Sequence, residues 1–286
     1  MNSVSSLQQP SLSVSPGGLV VHLTRTGLGA DRDSLSHLLA LIGVDAGGMK
    51  AAADTPVLVK RVPAGEALFH EGVSADSIYF VRSGTFKTFR TAEDGYEQVL
   101  GFVGRSEVLG FDALNSGGHP TGAVALEDSS VYAILITDLF SLTERSPALG
   151  RGVHRAVSNA LARHGQIADV MAAVAAEVRL ARFLCHLSQQ MAEQGQSPRR
   201  FHLRMSRRDI ASYLGVAHET ISRSFTELSN WGLLRVNNRE VEIVDVEGLK
   251  VLSRSTRRQI DDMGRALERP AQAQRAEPRR ASVLTA

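Results

Sequence analysis

Residues 209–225 read DIASYLGVAHETISRSF, and this stretch decides how the C-terminal part of the chain folds. Ser206, just ahead of it, is a suitable N-cap for a first helix, and Gly215 breaks the helical period. A second helix follows, and its inner side carries the apolar residues Ile221, Phe225 and Leu228. Two short helices joined by a glycine turn predict a helix-turn-helix.

The outer face of the second helix carries side chains suited to reading DNA bases. Glu219, Ser222 and Arg223 stand at positions i, i+3 and i+4, which share one face of a helix. In the major groove a carboxylate accepts from cytosine, a guanidinium donates to guanine, and a hydroxyl meets base edges or a thymine methyl. A solvated helix surface with a Glu219–Arg223 ion pair is the alternative. We predict base reading by these three residues, with His218 beside them in the exposed first turn.

The segment after the second helix predicts a wing. The runs LLRV and EVEIVD flank the turn NNRE, which is typical of two short paired strands. The formal net charge of the chain is only +2, so positive charge for binding phosphates must be local. Arginines are concentrated here, at Arg199, Arg200, Arg204, Arg207, Arg208, Arg235 and Arg239. The predicted phosphate contacts are Arg207, Arg208, Thr220 and Arg235.

A long helical period lies ahead of this unit, in residues 147–192. Its apolar stripe recurs at steps of three and four, at Val153, Val157, Leu161, His164, Ile167, Met171 and Val174. So narrow a stripe suits a helix that pairs with its own copy, although a single long core helix would also show it. The predicted seam of such a dimer consists of Val157, Leu161, His164, Ile167 and Met171. His164 could make pairing depend on pH, or it could simply be solvated.

Residues 56–135 show a third pattern. Short apolar runs (VLVKRV, SIYFVRSG, TFKTFRT, EQVLGFV and SSVYAIL) alternate with turn glycines, which predicts an antiparallel sandwich or roll. The fold class is therefore α+β, with an N-terminal antiparallel β-roll, a long dimerisation helix and a C-terminal winged helix-turn-helix. We predict a disordered segment (1–30), a sensory roll (31–146), the dimerisation helix (147–175), the DNA-binding domain (176–255) and a tail (256–286).

Composition excludes several classes of protein. Cys185 is the single cysteine, which rules out a disulfide within the chain and every multi-cysteine metal site, and fits a reducing cytosol. The chain shows neither a signal peptide nor an uncharged apolar run of about 18 residues, the length needed to span a membrane. We expect a cytoplasmic protein without a membrane partner.

The order of these parts resembles the Crp-Fnr superfamily of bacterial transcription factors, the cyclic-AMP receptor and fumarate-nitrate-reduction regulators. The resemblance covers roughly residues 55 to 250. The motifs PAGEALFHEG, IYFVRSGTFKTF, EQVLGF, VLGFDALNSGGHP and HETISR are more similar to the fumarate-nitrate branch than to the cyclic-AMP branch. The resemblance implies a homodimer that binds double-stranded DNA and RNA polymerase, with transcription activation as the expected outcome.

The resemblance also implies a DNA sequence. In the fumarate-nitrate branch, the residues matched by Glu219, Ser222 and Arg223 read TTGAT and ATCAA half-sites separated by four base pairs. The cyclic-AMP branch has glycine at the place of Ser222, so the hydroxyl favours TTGAT over TGTGA.

The sensing side departs from both branches. The roll position that carries a cluster cysteine in the oxygen sensor holds Tyr132, and the N-terminal region has no cysteine, so we expect no 4Fe–4S cluster. The nucleotide-binding Glu, Arg and Ser are matched by Phe111, Thr121 and Gly122, so we expect no cyclic AMP. No cofactor is predicted and no cofactor-binding residue is assigned.

The sequence leaves open three ways in which the protein could be controlled. The first is haem-based gas sensing, with an axial ligand among His22, His37, His70, His119, His154 and His164. Control by abundance alone and another small ligand in the roll are the others.

Two further classes of protein compete with this interpretation. The first is a metal-dependent cupin-like enzyme, but only His70 beside Glu71 suggests metal ligands, and the glycine motifs and nucleophile elbow of other enzymes are absent. The second is a roll that serves only as an interaction module, which would leave the winged helix unexplained. We expect a protein that is not an enzyme and has no metal site.

Overall fold

The computed structural model describes residues 31–44, 55–173 and 175–255. The predicted disordered segment, the predicted tail and Val174 lie outside these residues. In the described ranges, no helix is both long enough and apolar enough to cross a membrane.

Two antiparallel sheets form the N-terminal roll. Strands β1 (Asp31–Ser34), β2 (Pro56–Val62), β9 (Ser129–Leu135), β4 (Ser77–Ser83) and β7 (Val108–Leu109) make one sheet in that order. Strands β3 (Ala67–Phe69), β8 (Gly122–Ala125), β5 (Phe86–Thr91) and β6 (Glu97–Val103) make the other. The five apolar runs of the sequence coincide with β2, β4, β5, β6 and β9, so the roll is confirmed. The other four strands have two to four residues, too few to show an alternating period.

Strand β4 is apolar on both sides because both of its faces are covered. Tyr79 and Val81 pack between the two sheets. Ile78 and Phe80, which point the other way, pack against helices, and both are fully buried. A strand with two covered faces loses the polar alternation of an edge strand.

Three helices cover the outer face of the larger sheet. These are α1 (Leu35–Leu41), α2 (Ile136–Arg145) and α3 (Pro147–Ala172). Helix α3 begins with proline at its first turn, and the Ser146 hydroxyl caps it by accepting from the Leu149 amide at 3.1 Å. The N-terminal half of α3 packs on the roll through Leu149, Val153, Ala156 and Ala160. Helix α1 was not predicted, because its seven residues are too few to establish a period.

The C-terminal unit is a winged helix. It contains α4 (Ala176–Glu193), β10 (Arg200–His202), α5 (Arg207–Leu214), α6 (His218–Asn230), β11 (Leu234–Asn237), β12 (Glu240–Ile243) and α7 (Val246–Ser253). The three strands form one sheet in the order β10, β12, β11. All four helices and the sheet share a single apolar core. The predicted helix-turn-helix and wing are therefore confirmed, and α7 was not anticipated.

We expect Gly84→Ala to destabilise the roll far more than Gly95→Ala. Both glycines have positive φ, +90° and +82°, which costs alanine about 1–2 kcal/mol. A Cβ on Gly84 would also lie 2.9 Å from the Ser129 Cα, whereas nothing lies within 4 Å of a Cβ on Gly95. Overpacking adds about 1–3 kcal/mol at Gly84 alone. Urea denaturation compares the two variants, and equal losses would show that the contact with Ser129 has no energetic weight.

Candidate DNA-binding site

The turn of the helix-turn-helix is built from local capping. At the start of α5, the Ser206 hydroxyl accepts from the Asp209 amide at 3.1 Å, and the Asp209 carboxylate accepts from the Ser206 amide at 2.9 Å. Burial raises the pKa of Asp209, but the hydrogen bonds from Ser206 and the charge of Lys87 outweigh it and hold the pKa below its usual value. At its end, α5 stops at Gly215, whose φ of +61° favours glycine.

A side chain of helix α4 holds this turn in place. Arg179 donates through Nε to the Ala173 carbonyl at 2.7 Å and through Nη1 to the Leu214 carbonyl at 2.8 Å. One guanidinium therefore joins the end of the long helix α3 to the last residue of α5. Sequence periodicity gave no indication of this clamp.

Helix α6 has two sharply different faces. Ile221, Ser224 and Leu228 are fully buried, and the Ser224 hydroxyl donates to the Glu177 carboxylate at 2.9 Å. The opposite face carries the predicted base-reading residues, and His218, Glu219, Ser222 and Arg223 are all exposed. Within the described residues no ion pair joins Glu219 to Arg223, so the ion-paired surface considered from the sequence does not form. The structure thus places all four residues together on open surface.

The Ser222 hydroxyl is held by its own helix. It donates to the His218 carbonyl at 3.2 Å, the i−4 bond that serine often makes within a helix. The hydroxyl is also exposed, so its oxygen can still accept a hydrogen bond from a partner.

The predicted phosphate contacts occupy different environments. Arg208 is exposed and Thr220 is half-buried. Arg235 is exposed and donates to Glu242 at 2.5 Å. Arg207 is half-buried as well, and its Cζ lies 3.3 Å from the centre of the Phe225 ring. Burial lowers the pKa of Arg207 to about 10, so the side chain keeps its charge at neutral pH.

Helix α5 docks on the edge strand β6 of the roll. The Ser212 hydroxyl accepts from the Val99 amide and donates to the Glu97 carbonyl, both at 2.9 Å. Gln98 donates to the Ser212 carbonyl at 2.6 Å. Ser212 is 5% exposed, and nothing in the sequence indicated this contact, because Arg208 and Asp209 share its side of the helix.

An aromatic cluster and an ion pair complete the docking. The ring of Tyr213 in α5 lies 5.2 Å from that of Phe102 in β6 and 5.7 Å from that of Phe183 in α4. Burial raises the pKa of Tyr213 to about 12. Lys87 in β5 reaches Asp209 at 3.3 Å. The winged helix is therefore held against the roll by polar and apolar contacts together.

A cavity of about 380 Å³ lies between the roll, α3 and α4. Phe111 and Thr121, matched to nucleotide-binding positions in the sequence, line it. At the third position, Gly122, an added Cβ would lie 2.8 Å from the Phe89 ring. Tyr132, matched to a cluster cysteine, is 2% exposed, and its hydroxyl donates to Asp33 at 2.7 Å.

Cavity polar groups centre on Glu107, which is 7% exposed. Its carboxylate pairs with Arg163 at 3.1 Å and accepts from Gln190 at 2.8 Å. Burial raises the pKa of Glu107, and its partners only partly offset this.

The predicted dimer seam divides into two parts. Leu161 and Met171 are 69% and 39% exposed, and His164 is exposed as well. Val157 instead packs partly against the roll core, and Ile167 is half-buried and lines the cavity. Val153, also in the predicted stripe, belongs to the roll core. The exposed part of the stripe is thus shorter than the sequence suggested, because the roll covers its N-terminal end.

Potential metal ligands are scattered in the part of the chain that the structure describes. No group of three or more His, Cys, Asp or Glu side chains there could hold a metal ion. Of the histidines considered for haem, His119 is 3% exposed and stacks on Phe69 with ring centres 3.9 Å apart. His22 lies outside the described residues.

Comparisons with known proteins agree with this architecture. The family model of the Crp-like helix-turn-helix domain matches residues 178–252, and that of the cyclic nucleotide-binding domain matches residues 59–146. The chain is 36% identical over 218 residues to the transcriptional regulatory protein btr of Bordetella pertussis, a match that covers 76% of this chain and 90% of that protein.

Other relatives point the same way. The chain is 37% identical over 198 residues to the fumarate and nitrate reduction regulatory protein of Escherichia coli, covering 69% of this chain and 79% of that one. FixK2 from Bradyrhizobium japonicum has a similar fold, with a TM-score of 0.62 at 23% identity over 70% of this chain and 98% of its own. The chain belongs to the Crp-Fnr family, and it is a transcription regulator with a helix-turn-helix DNA-binding domain.

We expect Ser212→Ala to loosen the docking of α5 on the roll. The substitution leaves the buried amide of Val99 without a partner, at a cost of about 1–3 kcal/mol. Hydrogen exchange at the Val99 amide should accelerate, and the urea midpoint should fall.

Ser222→Ala is the matched control, because its hydroxyl is exposed and bonds only to its own helix. We expect this variant to stay within about 0.5 kcal/mol of the parent. Unchanged exchange at Val99 in Ser212→Ala would contradict the docking contact.

Proposed function

We propose that two copies of this chain bind a palindrome of TTGAT and ATCAA half-sites separated by four base pairs, and activate transcription there. The observation that carries the proposal is the outer face of α6. That face brings an acid, a hydroxyl and a guanidinium together on open surface, while the other face of the helix is fully buried. A helix held in this way can enter a major groove with its N-terminal half.

Each side chain has a role on the bases. Glu219 accepts from the amino group of cytosine, and Arg223 donates to O6 and N7 of guanine. The exposed side chain of Ser222 accepts from a base amino group or contacts a thymine methyl. Arg208, Thr220 and Arg235 contact phosphates and set the register.

The dimer is supported by the open part of the stripe on α3. Leu161, His164 and Met171 recur at steps of three and seven on one exposed face, the spacing of a coiled-coil seam. An apolar side chain as exposed as Leu161 gains about 1.5–3 kcal/mol when it is buried. Pairing along this seam gives the protein the two-fold symmetry of a palindrome.

We further propose that the roll works without a 4Fe–4S cluster and without cyclic AMP. The chain has one cysteine, and the Tyr132 hydroxyl donates a hydrogen bond to Asp33. The Phe89 ring fills the space beside Gly122, and Phe111 offers no carboxylate for a ribose. Activation adds RNA polymerase as a third partner, after DNA and the second copy.

We expect Arg223→Ala to weaken binding to the palindrome by about 1–3 kcal/mol per half-site and to relax base preference, because the guanine contact is lost. Fluorescence anisotropy with the palindrome and with a scrambled duplex measures both effects. Glu219→Ala should similarly reduce the penalty for replacing the cytosine it reads.

Arg208→Ala serves as the control, since loss of a phosphate contact weakens both duplexes alike. Equal losses on both duplexes for Arg223→Ala would count against base reading by α6.

We expect Leu161→Glu to separate the dimer. The substitution removes an apolar side chain from each helix of the seam and places two carboxylates opposite each other, costing about 3 kcal/mol or more. Sedimentation velocity over a concentration series should show a monomer. Arg151→Glu, an exposed position on the same helix outside the seam, should leave the dimer intact. A parent protein that is monomeric throughout the series would refute the seam.

A further inference from the structure

Arg207 is the first residue of α5, yet its side chain contacts the two other DNA-binding elements. Its Cζ lies 3.3 Å from the centre of the Phe225 ring in α6. Its Nη2 donates at 3.1 Å to the carbonyl of Asn238, in the turn of the wing. One side chain therefore bridges the base-reading helix and the wing.

The stack explains why this charged group is partly buried. Phe225 is 4% exposed, and the guanidinium covers one face of its ring. The negative face of an aromatic ring stabilises a cation there, and the planar guanidinium matches its shape. Nη1 is buried and makes no hydrogen bond within the described residues, so it lies away from solvent and from any phosphate outside.

The wing turn is held on two sides by the segment that leads into α5. Besides the bond from Arg207, the Leu203 amide donates to the Arg239 carbonyl at 2.8 Å. Asn238 has a φ of +53°, a left-handed conformation that asparagine tolerates better than most residues. The wing is also held by the pairing of β12 with β10 and by the shared core. Among the hydrogen bonds from this segment to the wing turn, the one from Arg207 is made by a side chain that also contacts α6.

We propose that Arg207 is a positioning residue for DNA binding, which fixes the wing relative to α6 through the Phe225 stack and the Asn238 carbonyl and does not itself contact a phosphate. The proposal rests on the proposed function, because it concerns how the same surface is arranged. It replaces the role expected from the sequence, where Arg207 was one of several equivalent basic residues.

Lysine separates the two roles. A lysine keeps the charge and can reach a phosphate, but it has no plane to stack on Phe225 and no fixed fork to reach Asn238. A phosphate contact therefore tolerates arginine-to-lysine substitution, and a stacked positioning residue does not. Arg208 is the matched control, because it is adjacent in sequence and exposed.

The experiment compares Arg207→Lys, Arg207→Ala, Arg208→Lys and Arg208→Ala in the full chain. Anisotropy titrations on the palindrome over a salt series give affinity and salt dependence, and stoichiometric titration gives the fraction of active protein. We expect both Arg207 variants to lose about five- to thirtyfold in affinity, with a full active fraction. Arg208→Lys should match the parent, and Arg208→Ala should reduce the salt slope by about 0.9 for each lost phosphate contact.

Phe225→Leu adds a second test, since it keeps an apolar side chain but removes the ring. We expect Arg207→Lys and Phe225→Leu to be non-additive, so that the double variant binds about as well as the weaker single variant. If the loss of affinity in the double variant equals the product of the two single losses, the proposal is overturned.

Recovery of affinity and salt slope in Arg207→Lys would also overturn it, because that is the behaviour of a phosphate contact. A reduced active fraction with unchanged affinity would overturn it in favour of a purely stabilising role. If the unaltered protein fails to prefer the palindrome over a scrambled duplex, the proposed function fails together with this inference. That result is seen without any variant, so it is distinct from the outcomes above.

Discussion

The burial of one face of α6 is the constraint on which the rest depends. Ile221, Ser224 and Leu228 are fully buried in a core that α4, α5 and the wing share. Because an α-helix has 3.6 residues per turn, burying that face directs Glu219, Ser222 and Arg223 outward together. Sites built on a packed helix are more exact in geometry than sites on loops. The core is thus what converts a short amphipathic helix into a surface that can meet base edges.

Docking of α5 on the roll extends this constraint to the N-terminal part of the chain. Ser212 pairs with the backbone of β6, and the rings of Phe102, Tyr213 and Phe183 close the interface beside it. The same strand and helices border the cavity that holds Glu107. Any group that changed the spacing of β6, α3 and α4 would therefore act directly on the support of α6. Arg179 likewise joins the end of α3 to the turn before α6 through two hydrogen bonds.

Local signals in the sequence predicted the helix-turn-helix, the wing and the five longer strands, because caps, turn glycines and periodicity are properties of neighbouring residues. Contacts between distant segments were not readable. The sequence ranked Arg207 with the other arginines, since nothing local shows that Phe225 lies under its guanidinium. It also could not tell that the roll covers Val153 and that Ile167 turns toward the cavity, because the stripe on α3 serves two surfaces at once. The contact of Ser212 was not readable either, because its partner, the Val99 amide, is 113 residues away in the sequence.

Protection of guanine N7 from methylation by dimethyl sulfate shows whether α6 reads bases, because that atom lies in the major groove and is one of the two that Arg223 is assigned to contact. We expect the parent protein to protect the guanine of both half-sites of the palindrome symmetrically, and Arg223→Ala to remove the protection while α6 stays folded. Binding that leaves both guanines fully reactive would contradict base reading by α6.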